Sequence, residues 1–338
     1  MNEELHATAR EMVAPGKGIL AADESTGTIE KRFTSIGVES TEENRRAYRE
    51  MLFTARGLGE HISGVILYDE TIRQSAADGR TFVEVLKSAG MIPGIKVDTG
   101  AKPLAGFPGE TVTEGLDGLR ARLEGYRGLG ARFAKWRAVI SVGEGLPTDA
   151  AIHANAHALA RYAALCQEAG IVPMVEPEVL MEGDHTIDAH FAATERTLSA
   201  VYDELFAQRV DLPGTILKTN MVLSGKSAAA QAGVKEVAEA TLRCLRATVP
   251  SAVPGVAFLS GGQDDVPATV HLDAMNRMGP HPWALSFSYG RALQAPSLKA
   301  WGGSADNVPA AQAALLHRSK CNGAARDGAY SEEMENAA

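Results

Sequence analysis

Short apolar runs rich in β-branched residues recur along this chain. Each ends in a charged or hydroxyl-bearing residue and leads into a longer segment with apolar positions three and four apart. The runs are GILAAD (18–23), GVILYDE (64–70), PGIKVD (93–98), RFAKWRAVI (132–140), IVPMVEPEV (171–179), TILKTNMV (215–222), GVAFLS (255–260) and WALSFSYG (283–290). Helical spacing is strongest over 150–168, 187–206 and 233–249, where apolar residues gather on one face of a 3.6-residue repeat. Nearly continuous apolar strands alternating with helices call for a parallel sheet covered on both faces. Eight such units predict a closed (β/α)8 TIM barrel of the α/β class, with an eight-stranded doubly wound sheet as the open alternative. The pattern fades near residue 318, where SKCNGAARDGAYSEEMENAA has little apolar content and clustered acids. The sequence therefore predicts a barrel domain over 1–317 and a mobile tail over 318–338.

Several of the runs carry charge where a barrel interior should be dry. Residues two apart on a strand share a face, so Lys96 pairs with Asp98, Lys135 with Arg137, and Glu176 with Glu178, while Lys218 interrupts the apolar run ILKTN. A single such residue reads equally well as a structural ion pair or a snorkelling side chain. The whole set does not, because burying unpaired ions is costly and barrel enzymes keep their reacting groups at the C-terminal ends of strands. Converging lysines and carboxylates suit amine catalysis. A free lysine has a pKa of about 10.4, whereas an attacking amine must be neutral. Desolvation and a second cation lower that value, and Lys135 could be the cation beside Lys218. Glu176 could then move protons, and Asp23 could hold or deprotonate a substrate hydroxyl.

Two glycine-rich stretches, LSGGQ (259–263) and SYGR (288–291), follow the seventh and eighth runs. There, barrels commonly bind a phosphate through backbone N–H groups and a forked guanidinium. DESTGTIEKR (23–32) offers Ser25, Thr28 and Arg32 as a second anion site; a helix N-cap is the competing reading of its hydroxyls, and the two are compatible. Other motifs fail on inspection. SGKS (224–227) lacks the upstream glycine of a P-loop, since Asn220 stands there, and GLGARF (128–133) lacks the third glycine of a dinucleotide fingerprint. His153 and His157 are one helical turn apart in an alanine-rich segment without a nearby third ligand, which reads as an ordinary helix surface.

Composition adds limits. The 338 residues are 45% hydrophobic and 22% charged, which suits a globular protein with a sizeable core. A net charge of −9 opposes nucleic acid as the main partner but permits a local basic pocket for a phosphorylated small molecule. The three cysteines form no CxxC pair, and no run reaches the roughly 18 apolar residues of a membrane span. With an acidic N-terminus unlike a signal peptide, the sequence predicts a soluble cytoplasmic protein.

The strings GKGILAADEST, TEENRR, GIKVDTG, PLAG, FAKWR, IVPMVEPEVL, LKTNMV, FLSGGQ, PWALSFSYGRALQ and KAWGG run collinearly from about residue 14 to 303. In these the chain resembles class I fructose-1,6-bisphosphate aldolases. The resemblance implies a (β/α)8 barrel, a Schiff-base mechanism without metal or other cofactor, a place in glycolysis or gluconeogenesis, and a homotetramer. It makes Lys218 the imine-forming lysine and Glu176 the proton-transferring group. Asp23 would work at the hydroxyl beside the cleaved bond, Lys135 and Arg137 would polarise substrate, and Glu178 and Lys96 would support them. Ser260, Gly261, Gly290 and Arg291 would bind one phosphate, and Ser25, Thr28, Arg32 and Lys96 would lie near the other. Two departures stand out. Thr219 occupies a position where many relatives have proline, and the chain ends EMENAA, with Tyr330 as its last tyrosine, where animal members end in a tyrosine that favours the bisphosphate. A metal-dependent lyase and a non-enzymatic scaffold are the rival readings.

Overall fold

Each of the eight apolar runs forms one strand of a parallel barrel. The computed structural model describes residues 2–336. Its strands in chain order are β1 (Gly18–Ala21), β2 (Ile62–Leu67), β3 (Ile92–Lys96), β4 (Gly100–Pro103), β5 (Thr111–Glu114), β6 (Phe133–Ile140), β7 (Val172–Val179), β8 (Ile216–Thr219), β9 (Gly255–Phe258) and β10 (Ala284–Tyr289). Strands β1, β2, β3, β6, β7, β8, β9 and β10 close on themselves in that order. Closure is decided by the pairing of β10 with β1, Ile19 opposite Ser288 and Leu20 opposite Tyr289, which rules out the open doubly wound sheet. β4 and β5 form a separate antiparallel hairpin that the run pattern did not indicate. The helices expected over 150–168, 187–206 and 233–249 are observed as Asp149–Glu168, Ile187–Ala207 and Val234–Thr248.

The two faces of each strand serve two cores. Outward residues pack under the surrounding helices in one large apolar cluster. Inward residues, among them Ile19, Ile66, Ile92, Phe133, Val172, Met174 and Ile216, form a smaller cluster. The helix Asn2–Met12 closes it with Leu5, Ala9 and Met12. Phe133 fits because its neighbours are glycines: a Cβ on Gly94 would sit 2.2 Å from the ring, and one on Gly64 3.1 Å from it. This dry layer keeps polar groups at one end. Moving up the same inward columns, Phe133 gives way to Lys135 and Arg137, Met174 to Glu176 and Glu178, and Ile216 to Lys218.

The boundary expected at residue 318 does not hold. A single helix, Val308–Arg326, runs through it, and Arg318, Ser319, Cys321, Asn322, Gly323 and Ala325 are buried. Its low apolar content serves close approach instead of looseness: a Cβ on Gly323 would lie 2.5 Å from the Gly16 carbonyl oxygen. The buried polar groups are partnered, with Arg318 and Asn322 bonded to Thr269 Oγ1 at 2.6 and 2.8 Å. Beyond the helix, the buried Tyr330 donates its N–H to Asp273 and accepts from Arg277 through its carbonyl. Among the described residues no helix is long and apolar enough to cross a membrane.

Candidate active site

Strand alternation and register bring the inward charges together at the C-terminal mouth of the barrel. Lys96 on β3 sits beside Lys135 on β6, and Arg137 beside Glu176 on β7. A cavity of about 570 Å³ opens above them. Its floor is an alternating chain of charge. Lys135 Nζ lies 2.7 Å from Asp23 Oδ2 and 3.2 Å from Glu176 Oε2, while Lys218 Nζ lies 3.1 Å from Glu176 Oε1. Glu176 therefore bridges the two amines with one oxygen each, and all three side chains are about 4% exposed.

Such burial is tolerable only because the charges are paired. Desolvation alone would raise the carboxyls of Asp23 and Glu176; Lys135 first, then Lys218, outweighs it, and both groups are held below the usual carboxylate range. Conversely, burial pulls Lys135 down while Asp23 and Glu176 more than compensate, so its ammonium is held above the ordinary lysine value. Lys135 is thus held as a cation on a different strand from Lys218. Higher on the wall, Arg137 Nε pairs with Glu178, and Lys96 pairs with Asp98 at 2.6 Å.

Two rims flank this floor. On one side, Ser260 leads into a turn at Gly261 and Gly262, whose φ angles of 61° and 99° lie in the left-handed region that favours glycine. A β-carbon on Gly262 would meet Met181 Sδ at 3.2 Å. Arg291 opens the helix Arg291–Trp301 directly after Gly290, and no side chain caps that end. On the other side, Ser25 occupies the N-cap position of Thr26–Thr34 without capping it; its hydroxyl faces that of Thr28 at 3.2 Å. The capping interpretation of these hydroxyls therefore describes the position but not the bonding. Arg32, one turn further, is ion-paired with Glu24, which also takes a 2.8 Å bond from the buried Arg49.

All fourteen candidate catalytic and substrate-binding residues line this one cavity; Asp98, the partner of Lys96, does not. The structure adds Glu24, Lys31, Ser35, Glu182, Gly262 and Ser288. Lys31 and Ser35 were within reach of sequence reasoning, since they follow Thr28 at helical spacing on the same face. Ser288 shares the inward face of Ser286 by strand alternation, and its buried hydroxyl has no hydrogen-bond partner. Glu182 arrives from a loop and carried no signal. The discarded motifs fall elsewhere: Gly130 ends the helix Leu119–Leu129 in the left-handed region, Gly225 packs against the 183–185 turn, and His153 and His157 are exposed. Tyr330 does not line the cavity; its hydroxyl donates to Glu335 at 2.8 Å.

Comparison with known proteins follows the same line. The family model described as fructose-bisphosphate aldolase class-I matches residues 4–338. A probable fructose-bisphosphate aldolase class 1 from Xanthomonas campestris pv. campestris is 59% identical, with 97% of this chain and 98% of the relative covered. The cytosolic fructose-bisphosphate aldolase 4 of Arabidopsis thaliana is 54% identical over 98% of this chain and 85% of its own. The fructose-bisphosphate aldolase of Plasmodium falciparum, solved in complex with TRAP and a small-molecule inhibitor, superposes with a TM-score of 0.96 at 49% identity, covering 97% of this chain and 95% of that one.

Proposed function

Because the chain belongs to the class-I fructose-bisphosphate aldolase family, which cleaves fructose 1,6-bisphosphate reversibly through a lysine Schiff base, we propose that its imine-forming amine is Nζ of Lys218. The observation that carries this is the shared carboxylate: Glu176 stands 3.1 Å from Lys218 and also faces the permanent cation Lys135. Glu176 is in reach to take the proton that Lys218 must shed before attacking the C2 carbonyl, and to return it when the carbinolamine loses water. The resulting iminium withdraws electrons as the C3–C4 bond breaks. Asp23, kept ionised beside Lys135, accepts the C4 hydroxyl proton, and glyceraldehyde 3-phosphate leaves. Protonation of the remaining enamine at C3 and hydrolysis of the iminium release dihydroxyacetone phosphate and restore the amine.

Ser260, Gly261, Gly290 and Arg291 form the seat for the phosphate of the dihydroxyacetone half, and Ser25, Thr28 and Arg32 that of the other phosphate. Arg137, Glu178 and Lys96 support the polar wall between them. Trapping with dihydroxyacetone phosphate and borohydride should label Lys218; an adduct on another lysine, or none, overturns the assignment.

The enzyme works in the cytoplasm as a homotetramer in this reading. Relatives named cytosolic or cytoplasmic and three free, buried cysteines support the first, and the family resemblance the second. Sedimentation equilibrium at four chain masses is the expected result for the assembly.

A further inference from the structure

Away from the barrel mouth, the helix Val308–Arg326 presents His317 and Cys321 one turn apart, and the short turn Glu332–Asn336 folds Glu335 back onto them. Cys321 Sγ lies 3.8 Å from His317 Nε2, which lies 3.7 Å from Glu335 Oε2, and the three donor atoms all fall within 4.8 Å of one another. Metal–donor lengths of about 2.0–2.3 Å in a tetrahedron put neighbouring donors about 3.3–3.8 Å apart. Two of the three edges already have that length. We propose that His317, Cys321 and Glu335 form a site for a dication of the zinc class, separate from the aldol chemistry.

The donor set is one thiolate, one imidazole and one carboxylate, a combination that suits zinc or cobalt and not a hard ion such as magnesium. Charge closes as well: a dication with one thiolate and one carboxylate is neutral. Arg318 also binds Glu335, yet it has further partners in Thr269 Oγ1, the Asp265 carbonyl and the Asp265 carboxylate, so it stays paired when one carboxylate oxygen turns to the metal. Tyr330 donates its hydroxyl to the other oxygen at 2.8 Å, the outer contact that orients a ligating carboxylate. His317 and Glu335 line a groove of about 470 Å³, which provides an entry path and a fourth position for water. Occupancy would pin the 332–336 turn to the long helix.

The full-length enzyme, stripped with chelator and titrated with Co(II), should bind one equivalent and develop a near-ultraviolet thiolate-to-cobalt band with intense visible bands of four-coordination. Cys321→Ser should abolish the charge-transfer band. His317→Gln and Glu335→Gln should each weaken binding at least tenfold while retaining that band at saturation. Aldol turnover, measured alongside, reports folding of each variant and should be unchanged. Absence of the band in the unmodified enzyme, its persistence in Cys321→Ser, or undiminished affinity in both Gln variants overturns the proposal.

Discussion

Lys135 sets the protonation of the site at the scale of single residues. Asp23 and Glu176 both titrate lower in the folded chain than outside it, chiefly because this ammonium outweighs their burial. The stability they contribute is therefore fully present above the ordinary carboxylate range, about pH 4, and is lost as pH falls through and below it. Lys135→Met leaves two buried carboxylates short of a partner, so it should cost about 3–5 kcal/mol. Its Tm should begin to fall at a higher pH than that of the unmodified enzyme when both are scanned from pH 7 to 3. Arg32 permits a sharper test of substrate contact. Replacing it with Ala should lower kcat/KM for fructose 1,6-bisphosphate by roughly 10- to 100-fold, the worth of one charged hydrogen-bonding group, and leave fructose 1-phosphate turnover nearly unchanged. An equal loss on both substrates would place Arg32 outside the second phosphate seat. Lys135, Lys218 and Glu176 were legible in the sequence because charge inside an apolar run has few cheap explanations. Glu24 was not: it neighbours Asp23 in sequence, but its role rests on Arg32 and Arg49, which arrive from separate helices.

Single elements hold this site up through what lies beneath it. Phe133 fills the barrel floor because Gly94 and Gly64 have no side chains there. Gly94→Ala should destabilise the fold by about 1–3 kcal/mol through overpacking, seen as a lower urea midpoint, and Phe133→Leu should relieve part of the loss. Helix ends are the other support. Thr186 accepts the Ala189 N–H at the start of Ile187–Ala207, and Thr186→Ala should lower stability by about 1 kcal/mol without changing kcat. Strand and helix positions were readable from periodicity, since side-chain direction repeats with the backbone. The β4–β5 hairpin was not, because GAKP is mostly exposed and an exposed ribbon leaves no apolar trace.

At the scale of the whole molecule, the C-terminal region is an integral wall of the barrel. Tyr330 is buried, with its N–H on Asp273, its carbonyl on Arg277 and its hydroxyl on Glu335. Tyr330→Ala should lower Tm by an amount equivalent to about 3 kcal/mol or more, while the borohydride-trapped adduct on Lys218 still forms. A variant that keeps its Tm would return this stretch to the loose tail its composition suggested. The composition misled because small and polar residues can pack tightly when each polar group finds a partner, and partners such as Thr269 and Asp273 lie some 50 residues away along the chain.

The order of amino acids by itself determined the alternation of eight strands with helices, the identity of the inward charges and the chemistry they support, since all of these follow from local period and residue type. Only the folded chain decided that the sheet closes, that Lys218 and Lys135 share one carboxylate, that Arg32 is held by Glu24, and that the last helix packs inward. Those outcomes depend on distances between residues far apart in the chain, which no local pattern encodes.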